Sequence, residues 1–93
     1  MSQFNAYAPP MMWGAWVRID SHIGPRTYNI SYEALGDTLV MGRVRYFKGS
    51  DGGTQVIEEF RDSTTITTSN SAANVEVSFK GVPTGSPVQG MFS

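Results

Sequence analysis

The 93-residue chain contains no cysteine, and charged residues make up only 16% of it. Without cysteine, disulfide bonds, thiol catalysis and cysteine-ligated zinc are all excluded. The charged fraction is well below the typical value of about 25%, so hydroxyl and amide groups must hold much of the surface in water. This composition is common in secreted and virion proteins, although it assigns the chain to no compartment.

A marked excess of charge of either sign is also missing, since the net charge at pH 7 is −1. Nucleic-acid-binding proteins normally carry a basic stripe, so this balance argues against a nucleic-acid partner. No apolar run approaches the length of a membrane span, which is about 18 residues. The N-terminus shows no basic start followed by an apolar core, so we expect neither a membrane span nor a secretory signal peptide.

The motifs that usually carry catalysis have no match in the chain. Asp20, Ser21 and His22 are contiguous, and contiguous residues cannot adopt the geometry of a catalytic triad. Glu58 and Glu59 are adjacent on a predicted strand, so their carboxylates would point to opposite faces and could not flank one substrate. We therefore expect a protein that is not an enzyme and has no metal site and no cofactor. His22, the single histidine, is predicted to lie in a surface loop.

What the sequence does contain is apolar residues at every second position, the pattern of half-buried β-strands. In Thr27–Glu33, for example, Tyr28, Ile30 and Tyr32 would face inward. Turn signals recur every eight to twelve residues or so, and no amphipathic helix is visible. We predict an all-β fold, a small antiparallel β-sandwich or barrel-like domain of about six to seven strands.

A hairpin near residues 38–61 is predicted to form the centre of this fold. Its turn, KGSDGG at 48–53, has the glycines that a reversal of the chain needs. Folding about Ser50–Asp51 would place two favourable pairs opposite each other, Arg43 with Glu58 and Met41 with Phe60. A slip of one residue in this register would exchange the two faces.

Residues 1–12 are predicted to form an extended arm that precedes a single all-β domain of residues 13–93. Pro9 and Pro10 disfavour helix and bias the backbone towards extended geometry. The arm either frays at the terminus or packs on its own sheet or on a neighbouring subunit. The candidate contact residues are Phe4, Tyr7, Pro9, Pro10 and Met11.

Trp16 is an aromatic residue on the predicted solvent-exposed face of a strand at 13–20. Alternation places Trp13 on the core face of this strand, with Trp16 and Arg18 on the other face. An arginine beside a tryptophan can hold a planar or sugar ligand. The candidate ligand-binding residues are therefore Trp16, Arg18 and Tyr46. The alternative is that the arm or the C-terminal tail covers Trp16.

Two functions from different classes follow. The first is a non-enzymatic structural or protein-interaction module that acts as a homo-oligomer or with a protein partner in a larger assembly. Its basis is the apolar arm, the low charge, and the segment Val88–Phe92, which Pro87 predicts to be an edge strand or a docked tail. The second is a lectin-like domain that binds carbohydrate through exposed aromatic residues.

Overall fold

A computed structural model of the chain describes residues 1–50 and 52–93, and over these residues the structure consists of strands and turns without helix. No helix of the described chain is therefore long and apolar enough to cross a membrane. The eight strands are β1 (Ser2–Ala8), β2 (Val17–His22), β3 (Thr27–Ala34), β4 (Leu39–Lys48), β5 (Thr54–Phe60), β6 (Ser63–Thr67), β7 (Ala73–Val82) and β8 (Ser86–Phe92).

The strands form two four-stranded antiparallel sheets that pack as a sandwich. The first sheet has the order β1-β8-β3-β6, and the second has the order β2-β7-β4-β5. The predicted antiparallel β-sandwich is thus confirmed, with eight strands instead of six or seven. The additional strand is β1, which lies in the segment predicted to be an arm.

The core lies between the sheets and follows the alternation of apolar residues. Tyr28 and Ile30 of β3 belong to one core cluster with Val75, Val77 and Phe79 of β7, and each of these side chains is at most 1% exposed. Burying an apolar side chain of this size contributes about 1.5–3 kcal/mol. The predicted inward face of β3 is confirmed, and β7 follows the same alternation.

The central hairpin is formed by β4 and β5, but its predicted register is wrong by one residue. Arg43 lies opposite Glu59 instead of Glu58. The reason is that the connection spans five residues, 49–53, so the pairing is centred on one residue rather than between two. Asp51, part of the predicted reversal, lies outside the described residues. Three glycines of the connection have positive φ, namely Gly49, Gly52 and Gly53.

The first strand belongs to the first sheet, because β1 pairs with β8 along its whole length. The Phe4 side chain lies in the core with 7% of its surface exposed. Its ring occupies the space that a side chain on Gly90 of β8 would fill. After β1 the chain crosses to the second sheet, where Pro10 forms a parallel bridge with Gly81.

The last strand lies inside the first sheet, between β1 and β3, so the prediction of an edge strand or tail for Val88–Phe92 is wrong. Pro87 is the second residue of β8, and at the start of a strand a missing N–H is tolerated. Its carbonyl still accepts a hydrogen bond from the Leu35 amide, at 3.0 Å. The short threonine-rich strand β6 lies at an edge of the same sheet.

Candidate interaction surfaces

The two tryptophans lie on the outer face of the second sheet. The segment that carries them is held to β7 by backbone contacts, since the Gly14 amide donates to the Phe79 carbonyl at 2.9 Å. The Ser78 hydroxyl donates to the Gly14 carbonyl at 2.8 Å. Strand β2 therefore begins only after Trp16, and the prediction that Trp13 faces the core is wrong. Alternation does not apply to Trp13, because it precedes the strand.

The indole rings alternate with basic side chains. The Arg43 guanidinium lies 4.6 Å from the ring centre of Trp13 and 4.4 Å from that of Trp16. The Arg45 guanidinium lies 4.3 Å from Trp16, and the Lys80 ammonium lies 4.9 Å from Trp13. We call these five residues the tryptophan–arginine row. Cation–π contacts of this kind contribute about 0.5–2 kcal/mol each, depending on solvent exposure.

The two arginines of the row differ in their charge partners. Arg45 donates from Nε and Nη2 to one oxygen of Glu76, at 2.9 and 2.7 Å. Arg43 makes no ion pair and no side-chain hydrogen bond within the described residues, and its Nε is buried without a partner. Glu76 therefore neutralises the guanidinium of Arg45, whereas the guanidinium of Arg43 has no anionic partner among the described residues.

The three predicted ligand residues do not form one site. Trp16 is half-buried on the outer face and contacts Arg43 and Arg45 of β4. Arg18 is exposed on the same sheet, opposite Glu76 of β7. Tyr46 is only 2% exposed and belongs to the core, so no surface ligand can stack on it.

Sequence reasoning missed the residues that surround Trp16. Arg43 and Arg45 are two residues apart on one strand, so alternation places both on the same face of the hairpin. Alternation could not show that Trp13 and Trp16 pack against this face, because they belong to a distant part of the chain. Their grouping depends on the pairing of β2 with β7 and of β7 with β4.

Three tyrosines donate hydrogen bonds in and around the core. Burial, and then a hydrogen bond to Asp20 at 2.7 Å, raises the pKa of Tyr28 to about 12. Burial, and then a hydrogen bond to Glu58, raises the pKa of Tyr46. Burial likewise raises the pKa of Tyr32. All three hydroxyl groups stay protonated at neutral pH, so they act as donors and not as nucleophiles.

A second surface lies at one end of the sandwich, around the turn between β7 and β8. Met11 is 64% exposed, and its amide donates to the Gly81 carbonyl at 2.8 Å. Leu39 is 41% exposed and lies opposite Val82. Tyr7, which lies opposite Pro87, and Met12 are also more than half exposed. We call this surface the apolar end, defined by Tyr7, Pro10, Met11, Met12, Leu39 and Val82.

The predicted arm residues divide between two places. Tyr7, Pro10 and Met11 lie at the apolar end, whereas Phe4 lies in the core and Pro9 is partly buried. The Pro9 carbonyl accepts a hydrogen bond from the Gly81 amide at 2.9 Å, which fixes the end of the segment to β7. The first twelve residues thus contribute a strand, a crossing and part of an exposed apolar surface.

A third surface is the outer face of the first sheet, which carries hydroxyl and amide groups. The hydroxyls of Thr27 and Thr67 lie 3.1 Å apart across β3 and β6. The Thr65 hydroxyl donates to the Asn29 side chain at 2.9 Å. Beside them is a shallow depression of about 300 Å³, lined in part by Asn29, Ser31, Ser63, Thr65 and Met91.

His22 is the last residue of β2 and only 6% exposed, so the prediction of a surface loop is wrong. Its Nδ1 lies 3.1 Å from the Gly24 carbonyl, because the chain turns back directly after the strand. Within the part of the chain that the structure describes, no group of three or more histidine, aspartate or glutamate side chains could hold a metal ion.

Comparison with known proteins found no match among protein-family models, curated proteins or solved structures. The class that can be stated is therefore that of the fold, an eight-stranded antiparallel β-sandwich. Any function must be argued from the three surfaces.

Proposed function

We propose that the protein is a non-enzymatic structural or protein-interaction module that assembles with further copies of itself through the apolar end. One observation carries the proposal. Exposed apolar side chains from separate parts of the chain, Tyr7, Met11, Met12 and Leu39, lie near a single turn, with the partly buried Val82 opposite Leu39. Single exposed apolar residues are normal on protein surfaces, whereas a contiguous patch is typical of an interaction site.

The chemistry of the apolar end favours a second copy as the partner. None of its defining residues is charged, so two copies can meet without like-charge repulsion and without burying an unpaired ion. The two methionines are flexible and can adapt to an irregular facing surface. Contact between identical patches closes as a twofold-symmetric dimer.

Sedimentation velocity at high micromolar concentration tests the proposal with the double variant Met11→Asn/Leu39→Thr. Met11 has a φ of 58°, and asparagine tolerates this conformation better than methionine does. Threonine retains the β-propensity of a strand position. The double variant should therefore fold and lose only the apolar side chains. We expect the native chain to sediment as a dimer and the double variant as a monomer.

The matched control is Ile57→Thr, which removes an apolar side chain that is 54% exposed on β5, away from the apolar end. This control should associate as the native chain does. A native chain that stays monomeric at high micromolar concentration contradicts the proposal. So does a folded double variant that associates as strongly as the native chain.

Carbohydrate binding is the second candidate function, and the depression on the first sheet favours it. Its hydroxyl and amide side chains match the neutral hydrogen-bonding groups of a sugar, and Met91 offers an apolar contact. NMR titration with a panel of neutral mono- and disaccharides should shift the signals of Ser31, Thr65 and Met91. Thr65→Val should weaken this binding. Shifts that Trp16→Ala removes and Thr65→Val leaves unchanged would instead support the ligand residues predicted from the sequence.

A further inference from the structure

We propose that Arg43, held between the indoles of Trp13 and Trp16, is a binding site for an oxyanion, namely the carboxylate, sulfate or phosphate group of a small ligand. This site lies on the outer face of the second sheet. It shares no residue with the apolar end and does not depend on self-assembly.

Among the described residues, three arginines stack on aromatic rings. Arg26 lies 4.5 Å from the Tyr28 ring and pairs with Asp20 at 2.8 Å. Arg45 stacks on Trp16 and pairs with Glu76 at 2.7 Å. Arg43 contacts two indoles and has no carboxylate within 4.0 Å among the described residues. Two of the three stacked guanidinium groups thus have an anionic partner inside the protein, and the third does not.

The geometry leaves the donors of Arg43 available. Stacking occupies the faces of the guanidinium plane, whereas its N–H groups point outward from the edge of that plane. Within the described part of the chain, Nε is the only nitrogen of the Arg43 side chain that is both buried and without a hydrogen-bond partner. The two Nη atoms make no side-chain hydrogen bond to the described residues, so they reach solvent. Their parallel N–H groups match two oxygens of one oxyanion.

The surrounding charges favour an anion. Arg18 and Lys80 lie on the same sheet, and neither forms an ion pair within the described chain. Glu59 lies opposite Arg43 on β5, but it is exposed and makes no ion pair with it. A partly buried cation without a partner is unfavourable, and an oxyanion from solution would compensate it.

The test is an NMR titration of the arginine Nε–Hε signals of the full chain. Sodium sulfate, sodium phosphate and sodium acetate are added separately, each compared with sodium chloride at equal ionic strength. We expect one arginine signal to shift in a saturable manner, with a dissociation constant on the order of 1 mM. Tighter binding of sulfate and phosphate would indicate an ester of these acids as the ligand group, and tighter binding of acetate would indicate a carboxylate.

Variants assign the signal. Arg43→Gln should remove the responding signal together with any shift of the indole N–H signals of Trp13 and Trp16, which lie against Arg43. In Arg43→Lys the indole signals should report binding about tenfold weaker, because lysine keeps the charge but lacks the planar fork. Arg26→Gln is the matched control, since it removes a stacked arginine that already has a carboxylate partner, and it should leave the response unchanged. If the Arg43 variants do not fold, the responding signal must still persist in Arg18→Gln, Arg26→Gln, Arg45→Gln and Arg61→Gln.

Three results would overturn the proposal. The first is a response no larger than that to chloride. The second is a saturable response that persists in folded Arg43→Gln. The third is a responding signal that disappears in one of the other arginine variants, because the oxyanion would then bind elsewhere.

Discussion

Replacement of Gly90 by alanine should destabilise the protein, although alanine is normally the better residue in a strand. Gly90 lies on β8 directly opposite Phe4 of β1. A Cβ atom at this position would overlap the ring of Phe4, which packs against Phe79 with 6.1 Å between ring centres. The ring would have to leave the core to make room.

The magnitude follows from two opposing effects. Removing a phenylalanine from a core destabilises a protein by about 3–5 kcal/mol. Alanine in place of glycine in a strand stabilises it by about 0.5–1 kcal/mol. Gly90→Ala should therefore lower the free energy of unfolding by about 2–4 kcal/mol. A 93-residue chain has a total of about 5–14 kcal/mol, so the variant should remain folded and measurable.

The sign of the effect should reverse when Phe4 is already alanine. In that background no ring occupies the space above Gly90, so Gly90→Ala should raise stability by about 0.5–1 kcal/mol. Urea unfolding of the four proteins of this double-mutant cycle, followed by far-UV circular dichroism, measures both effects. Equal destabilisation in the two backgrounds would contradict this prediction, because the loss of stability would not then come from the ring of Phe4.

Three further predictions concern the core and its titration. Ile30→Val should lower the free energy of unfolding by about 0.5–1.5 kcal/mol. The control Ile23→Val, at a position 93% exposed, should change it by less than about 0.5 kcal/mol. Equal effects of the two substitutions would contradict the assigned core. Gly42→Ala should lower the free energy of unfolding by about 1–3 kcal/mol, because the new Cβ would lie 3.0 Å from the Tyr32 ring. A Cβ at Gly24 would meet no atom within 4 Å, so Gly24→Ala should cause no loss of stability in the same urea experiment. Stability should fall as pH rises from about 10, the ordinary pKa of tyrosine, to about 12. The pKa of Tyr28 is raised to about 12 in the folded chain, so the unfolded chain releases its proton first. Tyr28→Phe should reduce this dependence of stability on pH, and an unchanged dependence would exclude Tyr28 as its cause.

The parts of the fold that sequence could predict depend on near neighbours along the chain. The inward faces of β3 and β7 follow from alternation over a few residues, as for Tyr28, Ile30 and Val77. The register of the central hairpin depends on the length of a glycine-rich turn, in which several conformations are open to the same residues. The prediction therefore identified the hairpin and missed its register by one residue.

The candidate sites depend on contacts between distant residues, and this is why sequence identified only parts of them. Sequence reasoning identifies Trp16, but the arginines that stack on it belong to β4 and lie more than 25 residues further along the chain. Tyr7 and Met11 were singled out as arm residues, but Leu39 completes their surface only because β4 pairs with β7. Such neighbours are set by strand order, which alternation does not specify.

The proposed assembly through the apolar end can be tested most directly by pulsed electron paramagnetic resonance. The chain has no cysteine, so a single spin label can be attached at Thr84→Cys, in the turn at the apolar end, or at Ser50→Cys, at the far end of β4. For assembly through the apolar end we expect a defined label-to-label distance for Thr84→Cys and a much longer one, or none, for Ser50→Cys. A defined short distance for Ser50→Cys and none for Thr84→Cys would contradict it.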